Sequence, residues 1–370
     1  MKQPLFIVHT ESSCGWGGQE IRILSEAAGM IKRGHKVMLL CPEEAPIFAA
    51  ASAQGVPVQA LPIARKGWRG VKALRHWLGA HPGVSLINTH SSTDSWLTAL
   101  ACVTLRHSPP IVRTRHVSSI VPANRPTRWL YGKATRHVVT TGEALRRQLH
   151  RDNGLPLEHL TSVPTGIDLS RFLPGDKAEA RKSLGLKPEG FYLGIVSTLR
   201  SWKGHDYLLE AMTRLITEYP DLQLLIVGDG PQRENLEGKI IHRGLDAKVK
   251  LVGQRDDVPL WLNALDVFTL PSYGEEGVPQ AIMQAMACGV PVVSTDVGAI
   301  SEAVKDGETG IMVAPRDSIA LTVALSRLLA DAELRRCMGA AGFERARERF
   351  GSEVMLDKME AVFIHTAGRG

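Results

Sequence analysis

Short apolar runs along the chain alternate with longer stretches that have helical spacing, and this alternation occurs in two successive sets. In the first half the runs that predict strands are residues 5–8, 37–40, 58–61, 85–88, 111–113 and 137–140. In the second half they are residues 192–197, 222–227, 249–252, 267–270, 292–294 and 311–313. Because parallel strands need helical crossovers, the pattern predicts an α/β protein with two Rossmann-like domains, each a parallel sheet covered by helices.

The length of 370 residues also favours two domains, since chains of this length generally divide into more than one hydrophobic core. Residues 161–174 combine proline, glycine and aspartate without periodicity, which is typical of a connection. The predicted domains are residues 1–168 and 169–345, followed by a helical segment at 346–370. In such domains a ligand binds outside the carboxyl ends of the strands, and we expect the two domains to face each other across a cleft.

Composition is that of an ordinary soluble globular protein, with 44% hydrophobic and 22% charged residues. The longest apolar run is too short to span a bilayer, and the N-terminus is typical of a first strand rather than a signal peptide. The five cysteines are scattered and lack C-x-x-C spacing. This favours the reducing cytoplasm over a disulfide framework or a zinc site.

Charge is unevenly distributed between the halves. Residues 1–175 carry 21 Lys and Arg against 10 Asp and Glu, a net of +11, and the remainder has a net of −5. The first half is therefore expected to meet a membrane surface, a phosphorylated acceptor or nucleic acid. Nucleic acid is the weakest of these, because no zinc finger, recognition helix or RNA-binding sheet pattern is present. Residues 65–76, with Trp68 and Trp77, are typical of a helix that lies on anionic lipid, or of a simple solvated helix.

A pair of carboxylates, Glu275 and Glu276, stands in the segment PSYGEEGVPQAIMQAMACG, residues 271–289. A helix is predicted to begin near Pro279 and to end at Gly289. Gln284 then lies in the helix and Glu276 in the loop before it, so both can face a ligand held over the helix N-terminus. The alternative is a solvated acidic turn before a core helix.

Two further loops follow predicted strands and open helices. The first contains Gly17 and Gly18, whose lack of a side chain permits close approach to a ligand. It lacks the G-x-G-x-x-G fingerprint, which argues against a nicotinamide enzyme. The second contains Arg200 and Lys203, whose charges suit a phosphate group. The alternatives are a plain tight turn and an exposed basic turn.

The segment from Pro271 resembles the signature of glycosyltransferase family 4 (group 1), the retaining nucleotide-sugar glycosyltransferases with the two-domain GT-B fold. The matching positions are Pro271, Ser272, Glu276, Gly277, Ala285, Met286, Ala287, Cys288, Gly289, Pro291, Val292 and Val293. Gln284 stands where this family usually has a second glutamate, and Val278 with Pro279 replaces an aromatic-glycine pair. Weaker matches extend the resemblance along almost the whole chain, and they imply that the C-terminal helix returns to the first domain.

The resemblance implies a set of site residues. Glu276 would contact the donor sugar, Gln284 the ribose, and Lys203 the diphosphate, with Arg200 in place of the family's arginine. His116 would lie at the reacting centre, with His90 as its rival and a structural role as the alternative. The remaining donor-binding positions are Gly17, Gly18, Gly277, Val278, Pro279, Gln280, Gly253 and Arg255.

The function implied by the resemblance is retaining transfer of a sugar from a nucleoside-diphosphate donor to a hydroxyl of a glycan or lipid-linked glycan, as in lipopolysaccharide biosynthesis. The resemblance also implies that no cofactor and no divalent metal are needed, and the lack of an Asp-x-Asp metal motif in a suitable loop agrees with this. The expected location is the cytoplasm. Peripheral contact of the basic first domain with the inner face of an anionic membrane is left open, and nucleic acid is not an expected partner. The alternatives are a degenerate nucleotide-sugar-binding protein, and a GT-B epimerase or phosphorylase.

Overall fold

A computed structural model describes residues 3–116, 120–274 and 276–368, which form two compact units. The first unit comprises Met1–Gly166 and Ser352–Gly370, and the second comprises Ile167–Gly351. The chain thus passes from the first unit to the second after Gly166, two residues before the predicted boundary at 168. It returns at 352 rather than 346, because the preceding helix continues to Phe350, whose carbonyl accepts a hydrogen bond from the Ile167 N–H at 2.7 Å.

The first unit is built on a sheet of seven strands. In chain order they are β1 (Phe6–Thr10), β2 (Lys36–Cys41), β3 (Val58–Ala60), β4 (Leu86–Thr89), β5 (Ile111–Arg115), β6 (His137–Thr140) and β7 (Leu160–Ser162). All of their pairings are parallel, in the order β3-β2-β1-β4-β5-β6-β7. The sequence did not predict β7, because its three residues adjoin the aperiodic connection.

Helices of the first unit lie between these strands. They are α1 (Gly18–Lys32), α2 (Pro46–Ala53), α3 (Trp68–Ala80), α4 (Ser92–Val103), α5 (Arg125–Trp129), which continues as a π-helix (Leu130–Ala134), and α6 (Glu143–Asn153). A short 3-10 helix, Leu157–His159, precedes β7.

The second unit has a sheet of six parallel strands. They are β8 (Phe191–Val196), β9 (Leu222–Val227), β10 (Val249–Gly253), β11 (Val267–Leu270), β12 (Val292–Thr295) and β13 (Gly310–Val313), in the order β10-β9-β8-β11-β12-β13. Its helices are α7 (Lys177–Ser183), α8 (His205–Glu218), α9 (Arg233–His242), α10 (Val258–Asn263), α11 (Gln280–Ala287), α12 (Ile300–Ala303), α13 (Ser318–Ala330) and α14 (Ala332–Phe350). A 3-10 turn, Ser201–Lys203, follows β8.

The last helix, α15 (Ser352–Ala367), packs on α1 of the first unit. Its Leu356 side chain fills the space above Gly29, where a Cβ would come within 2.5 Å of a leucine methyl group. Arg33, the C-cap residue of α1, forms ion pairs with Glu353, Asp357 and Glu360 of α15. Burial of Leu356, together with these pairs, holds the helix on this face of the sheet.

The prediction of two parallel α/β domains is confirmed. In each sheet the chain first builds strands toward one edge and then returns to extend the other, so the strand order changes direction between β1 and β4 and between β8 and β11. Loops that leave the carboxyl ends of strands at such a switch point form a crevice that suits a ligand. None of the helices within the described ranges combines the length and the apolar character needed to cross a membrane.

Candidate functional site

Lys203 and Glu276 form an ion pair at the switch point of the second sheet. Lys203 ends the 3-10 turn after β8, and Glu276 lies in the loop after the neighbouring β11. The lysine Nζ is 2.6 Å from Glu276 Oε1, and Ser272 Oγ donates a hydrogen bond of 2.8 Å to the same oxygen. The two charged side chains are 19% and 11% exposed. Because both bonds end on Oε1, the other carboxylate oxygen remains available to hydroxyl donors of a ligand.

Main-chain contacts fix these two loops against each other. The Tyr273 N–H donates a hydrogen bond of 2.8 Å to the Trp202 carbonyl. Gly204 has φ of 79°, and a Cβ there would lie 1.9 Å from the Pro271 carbonyl oxygen. Only glycine satisfies both the left-handed backbone and this close approach. The spacing of Lys203 and Glu276 is therefore determined by the backbone as well as by their charges.

The loop after β12 supports Glu276 from another side. Ala299 N–H donates a hydrogen bond of 2.9 Å to the Glu276 carbonyl. Gly298 has φ of 59°, and a Cβ at this position would lie 2.1 Å from the same carbonyl oxygen. The loops after three neighbouring strands, β8, β11 and β12, thus hold Glu276 in place.

The helix predicted after Glu276 is α11. Pro279 is its N-cap, with an extended backbone, so the helix starts one residue later than the sequence predicted. Gly277 is partly exposed, whereas Val278 and Pro279 are buried. Gln280 opens the helix and Gln284 lies one turn further, both half-buried. Glu275 lies outside the described residues.

Arg200 is exposed, and its guanidinium lies 5.3 Å from the ring centre of Trp202 rather than against Glu276. Gly253 and Arg255 lie at the end of β10, the edge strand, which β9 separates from β8. Gly253 accepts a 2.8 Å hydrogen bond from the Gly228 N–H. Arg255 donates two hydrogen bonds, of 2.8 and 2.7 Å, to the Asp257 carboxylate, and these raise its pKa. Lys203, Ser272 and Glu276 therefore form one cluster. The side chains of Arg200 and Arg255, and Gly253, lie apart from it.

His205, which follows Gly204, has no place in the sequence prediction. It is buried, and its Nε2 lies 3.2 Å from Ser197 Oγ. Burial lowers the pKa of this histidine to about 4. The imidazole is therefore neutral at pH 7 and links the end of β8 to the start of α8.

In the first unit, the predicted glycine loop lies after β1, at the other switch point. Gly17 has an extended backbone and is the N-cap of α1, which begins at Gly18. Glu11, in the same loop, accepts hydrogen bonds from the Ser13 N–H at 2.7 Å and from the side chains of Gln19 and Ser91. Burial raises the pKa of Glu11.

The two histidines that the sequence treated as rivals belong to one hydrogen-bonded chain. His116 follows β5, and its Nε2 is 2.9 Å from Nδ1 of His90, which follows β4. His90 Nε2 is in turn 2.9 Å from Nδ1 of His9, on β1. Burial lowers the pKa of His9 to about 4 and holds the pKa values of His90 and His116 well below the usual range. All three rings are therefore neutral at pH 7.

His9, at the buried end of the three hydrogen-bonded histidines, determines which ring nitrogens carry hydrogens. His9 Nε2 is buried, and none of the described residues forms a hydrogen bond with it. A buried N–H without an acceptor is rarer in proteins than an unused acceptor. His9 therefore carries its hydrogen on Nδ1 and donates to His90, which donates from its Nδ1 to His116 Nε2. His116 then carries its own hydrogen on Nδ1, as a donor for a ligand oxygen.

Asp94 fixes the loop that carries His90. Its carboxylate accepts hydrogen bonds from the N–H groups of His90 and Ser91, at 2.9 and 2.8 Å, and from the Thr10 hydroxyl at 2.8 Å. Burial raises the pKa of this carboxyl to about 8. The sequence reasoning missed Asp94, although Ser91 and Asp94 have the spacing of a capping box, which they form at the start of α4. In the described part of the chain, no group of three or more His, Cys, Asp or Glu side chains converges as metal ligands would.

Two family models match the chain. One is described as Glycosyltransferase Family 4 and covers residues 16–171. The other is described as Glycosyl transferases group 1 and covers residues 190–331. The two matches correspond to most of the first unit and most of the second.

Similar sequences carry glycosyltransferase names. The lipopolysaccharide core biosynthesis mannosyltransferase LpsB of Rhizobium meliloti is 35% identical over 211 residues, 55% of this chain and 60% of that protein. The D-inositol 3-phosphate glycosyltransferase of Nocardia farcinica is 29% identical over an alignment of 90% of this chain and 83% of that protein. The chain therefore spans less than two thirds of LpsB and most of the second relative.

Solved structures share the fold. Anabaena HepE, in a complex with UDP and glucose, has a TM-score of 0.83 at 21% identity, over 97% of this chain and 99% of that chain. A glycosyltransferase from Rickettsia africae has a TM-score of 0.88 at 17% identity, over 99% of each chain. At these identities the likeness concerns the fold, which is the GT-B fold expected from the sequence.

Proposed function

The chain belongs to glycosyltransferase family 4, also called group 1, and from this premise we propose that it transfers a sugar from a nucleoside-diphosphate donor to a hydroxyl of a glycan or glycolipid. The observation that carries the proposal is the Lys203–Glu276 pair, with Ser272, at the switch point of the second sheet. A lysine beside a free carboxylate oxygen offers one group for a phosphate and another for sugar hydroxyls.

Donor cleavage places negative charge on the leaving diphosphate. The bond between the sugar C1 and the phosphate oxygen breaks, a bond forms from C1 to the acceptor oxygen, and the acceptor proton goes to the departing phosphate. A fixed cation at the phosphate lowers the free energy of that transition state without reorganisation. We assign this role to Lys203, which main-chain contacts hold in place, and a supporting role to Arg200, which must leave Trp202 to reach a phosphate.

Glu276 and the start of α11 are the proposed sugar and ribose contacts. The free oxygen of Glu276 accepts hydrogen bonds from sugar hydroxyls, with Gly277, Val278, Pro279 and Gln280 alongside. Gln284 keeps an amide oxygen for the ribose, where the family usually has a carboxylate. Gly253 and Arg255 are proposed to lie toward the base. We further propose that transfer retains the configuration at C1 and needs no divalent metal, because lysine supplies the charge that a metal would otherwise provide.

The first unit supplies neutral hydrogen-bonding groups. The Nδ1–H of His116 is a donor for a ligand oxygen, and the lack of side chains at Gly17 and Gly18 leaves the backbone N–H groups of that loop open to a ligand. We propose these residues as further ligand contacts. The name of LpsB favours a hexosyl donor and a cell-envelope acceptor such as lipopolysaccharide core. The free thiols of all five cysteines favour a cytoplasmic reaction.

Thermal unfolding with nucleoside diphosphates tests donor binding. The UDP present in the HepE complex makes UDP the first probe, with GDP as the second. A ligand at 100 times its Kd adds about 2.7 kcal/mol of stability, a rise in Tm of roughly 5–10 °C for a unit of this size. If UDP, GDP and the other common nucleoside diphosphates all fail to shift the Tm of the folded protein, the proposed donor site is wrong.

Turnover separates an enzyme from a binding protein. We expect UDP- or GDP-hexose to be consumed in the presence of a glycan acceptor, at the same rate with and without EDTA. Binding without transfer or hydrolysis would support the degenerate alternative. Gln284→Glu then provides a further test, because activity that appears only with the carboxylate would locate the loss at Gln284.

A further inference from the structure

The middle of the first unit has an unusual charge distribution. Between Glu44 and Glu143 the only acidic residue is Asp94, which is fully buried, whereas the same span contains twelve Lys and Arg residues. Of these twelve, only Arg113 and Arg115 are buried. The surface formed by this span therefore carries ten cationic side chains and no carboxylate.

An apolar cavity opens on this surface between α3 and α4. Its walls are Gly67, Trp68 and Val71, at the start of α3, and Trp96, Leu97 and Leu100, on α4. The volume is about 250 Å³ and the accessible wall is apolar. This is below the roughly 300–1,000 Å³ of sites that enclose a whole small-molecule ligand, so a single hydrocarbon chain suits it better.

Exposed apolar side chains surround the opening. Trp68 is 74% exposed and Leu100 is 38% exposed. Val103, one turn beyond Leu100 on α4, is 67% exposed. A basic helix that merely faces water has no need of an exposed tryptophan beside an apolar cavity. The combination is typical of a surface that enters a lipid interface, where the indole lies at headgroup level.

Three cationic side chains lie at the N-terminal end of α3, beside the cavity. Lys66 lines the cavity, and Arg65 and Arg69 flank it. None of the three forms an ion pair with a carboxylate in the residues that the structure describes. The first turn of α3 contains no acidic residue, although the positive end of a helix dipole favours anions and disfavours cations. Bound phosphate groups would neutralise these unpaired charges.

We propose that this surface, comprising Arg65, Lys66, Trp68, Arg69 and the α3–α4 cavity, docks the first unit on a bilayer of anionic phospholipid. Lipid phosphates bind the three cations, the Trp68 ring inserts at the headgroup level, and one acyl chain enters the cavity. Nucleic acid would satisfy the cations but would leave the apolar cavity and Trp68 in water. This inference goes beyond the transfer reaction, because docking is measured without donor or turnover.

Vesicle flotation with the full chain tests the charges. Wild-type protein should float with phosphatidylglycerol vesicles and remain free of phosphatidylcholine vesicles, and the binding should weaken with added salt. Arg65→Gln, Lys66→Gln and Arg69→Gln together should weaken binding to phosphatidylglycerol about 100-fold, since each cation near an anionic surface contributes a factor of about five. The matched control removes three exposed cations of the second unit, with Lys182→Gln, Lys187→Gln and Arg243→Gln, and should bind within about twofold of wild type.

A second variant tests insertion of the apolar part. Trp68→Ala should weaken binding at least about tenfold through loss of apolar burial, and Trp68→Phe should restore most of it. Ile319→Ala, which removes another well-exposed apolar side chain, from α13 of the second unit, should leave binding unchanged. Lipids brominated on their acyl chains should quench tryptophan fluorescence of the wild type more than that of Trp68→Phe.

Several outcomes overturn the proposal. They are equal binding to both vesicle types, equal loss of binding in the two triple variants, and wild-type binding by Trp68→Ala. Complete competition by a soluble RNA, without any effect of Trp68→Ala, would identify a polyanion site instead. Every variant must keep the cooperative thermal unfolding and the ligand-free Tm of the wild type, which shows that the protein is folded. The nucleotide-induced rise in Tm is measured separately, so failed docking is distinguished from a failed donor site.

Discussion

Lys203 Nζ lies 2.6 Å from Glu276 Oε1, although 73 residues separate the two in the chain. The contact exists because β8 and β11 are neighbours in the sheet, so the loops that follow them meet at one edge. A lone lysine turn and a lone acidic turn have no chemical significance by themselves. They are held 2.6 Å apart and largely shielded from water, and in the proposed function they bind a phosphate and a sugar together.

Replacement of Glu276 by Gln should lower kcat for transfer at least about 100-fold, because the amide is a weaker acceptor for sugar hydroxyls and leaves Lys203 without a counter-charge. Steady-state transfer assays measure the effect. The matched control is Glu237→Gln, which removes an exposed carboxylate paired with Arg233 in the same unit. Equal activity of the two variants would remove Glu276 from the proposed mechanism.

Gly298→Ala should displace the Glu276 main chain, because the added Cβ would lie 2.1 Å from its carbonyl oxygen. A shift near 1 Å can lower the transfer rate about 100-fold. Gly307→Ala is the control, since Gly307 also has a positive φ, 74°, but no atom of the residues that the structure describes lies within 4 Å of its Cβ position. The control should show only the backbone strain, about 1–2 kcal/mol of stability, with transfer nearly unchanged. Similar transfer rates for the two variants would contradict the proposed support of Glu276.

His116→Asn should keep more activity than His116→Gln. The histidine chain places the hydrogen of His116 on Nδ1, and the asparagine amide nitrogen occupies roughly that position, whereas the glutamine amide reaches the Nε2 position. Nitrogen-15 NMR of the wild type should show the Nδ1–H tautomer of His116. His9→Phe should remove this preference, because the Nδ1–H that His9 donates to His90 Nε2 is lost. A wild-type spectrum with the hydrogen on Nε2 would reverse the assigned direction.

Acidification should destabilise the protein through His205. Its folded pKa of about 4 lies below the unfolded value of 6.5, so the unfolded chain binds the proton first as the pH falls. The stability that depends on neutral His205 is fully present above pH 6.5 and is lost toward pH 4. About 2 kcal/mol of the free energy of unfolding is lost between pH 7.5 and 5. His205→Gln should lose less stability over that interval, as measured by urea denaturation at each pH. Parallel pH profiles of the two proteins would show that His205 does not contribute.

Local patterns in the sequence predict most of the strands correctly, because a strand buried on both faces needs a continuous apolar run. The predicted ranges 222–227 and 267–270 coincide with β9 and β11. The end of α11 just before Gly289 also follows from local chemistry, since the φ of 72° at this position suits glycine. Strand β7 was not predicted, because its three residues beside the aperiodic connection are too few to show a run of apolar positions.

The sequence by itself determined the two α/β domains, the family, and the loops in which chemistry would occur, because apolar periodicity and motif spacing are properties of neighbouring residues. Only the tertiary structure joined His9, His90 and His116 into one chain, placed Asp94 beneath His90, and opened an apolar cavity beside Trp68. These arrangements depend on which strands and helices become neighbours. Pairing of β1 with β4 and of β4 with β5 brings together residues up to 107 positions apart, and no local pattern encodes such distances.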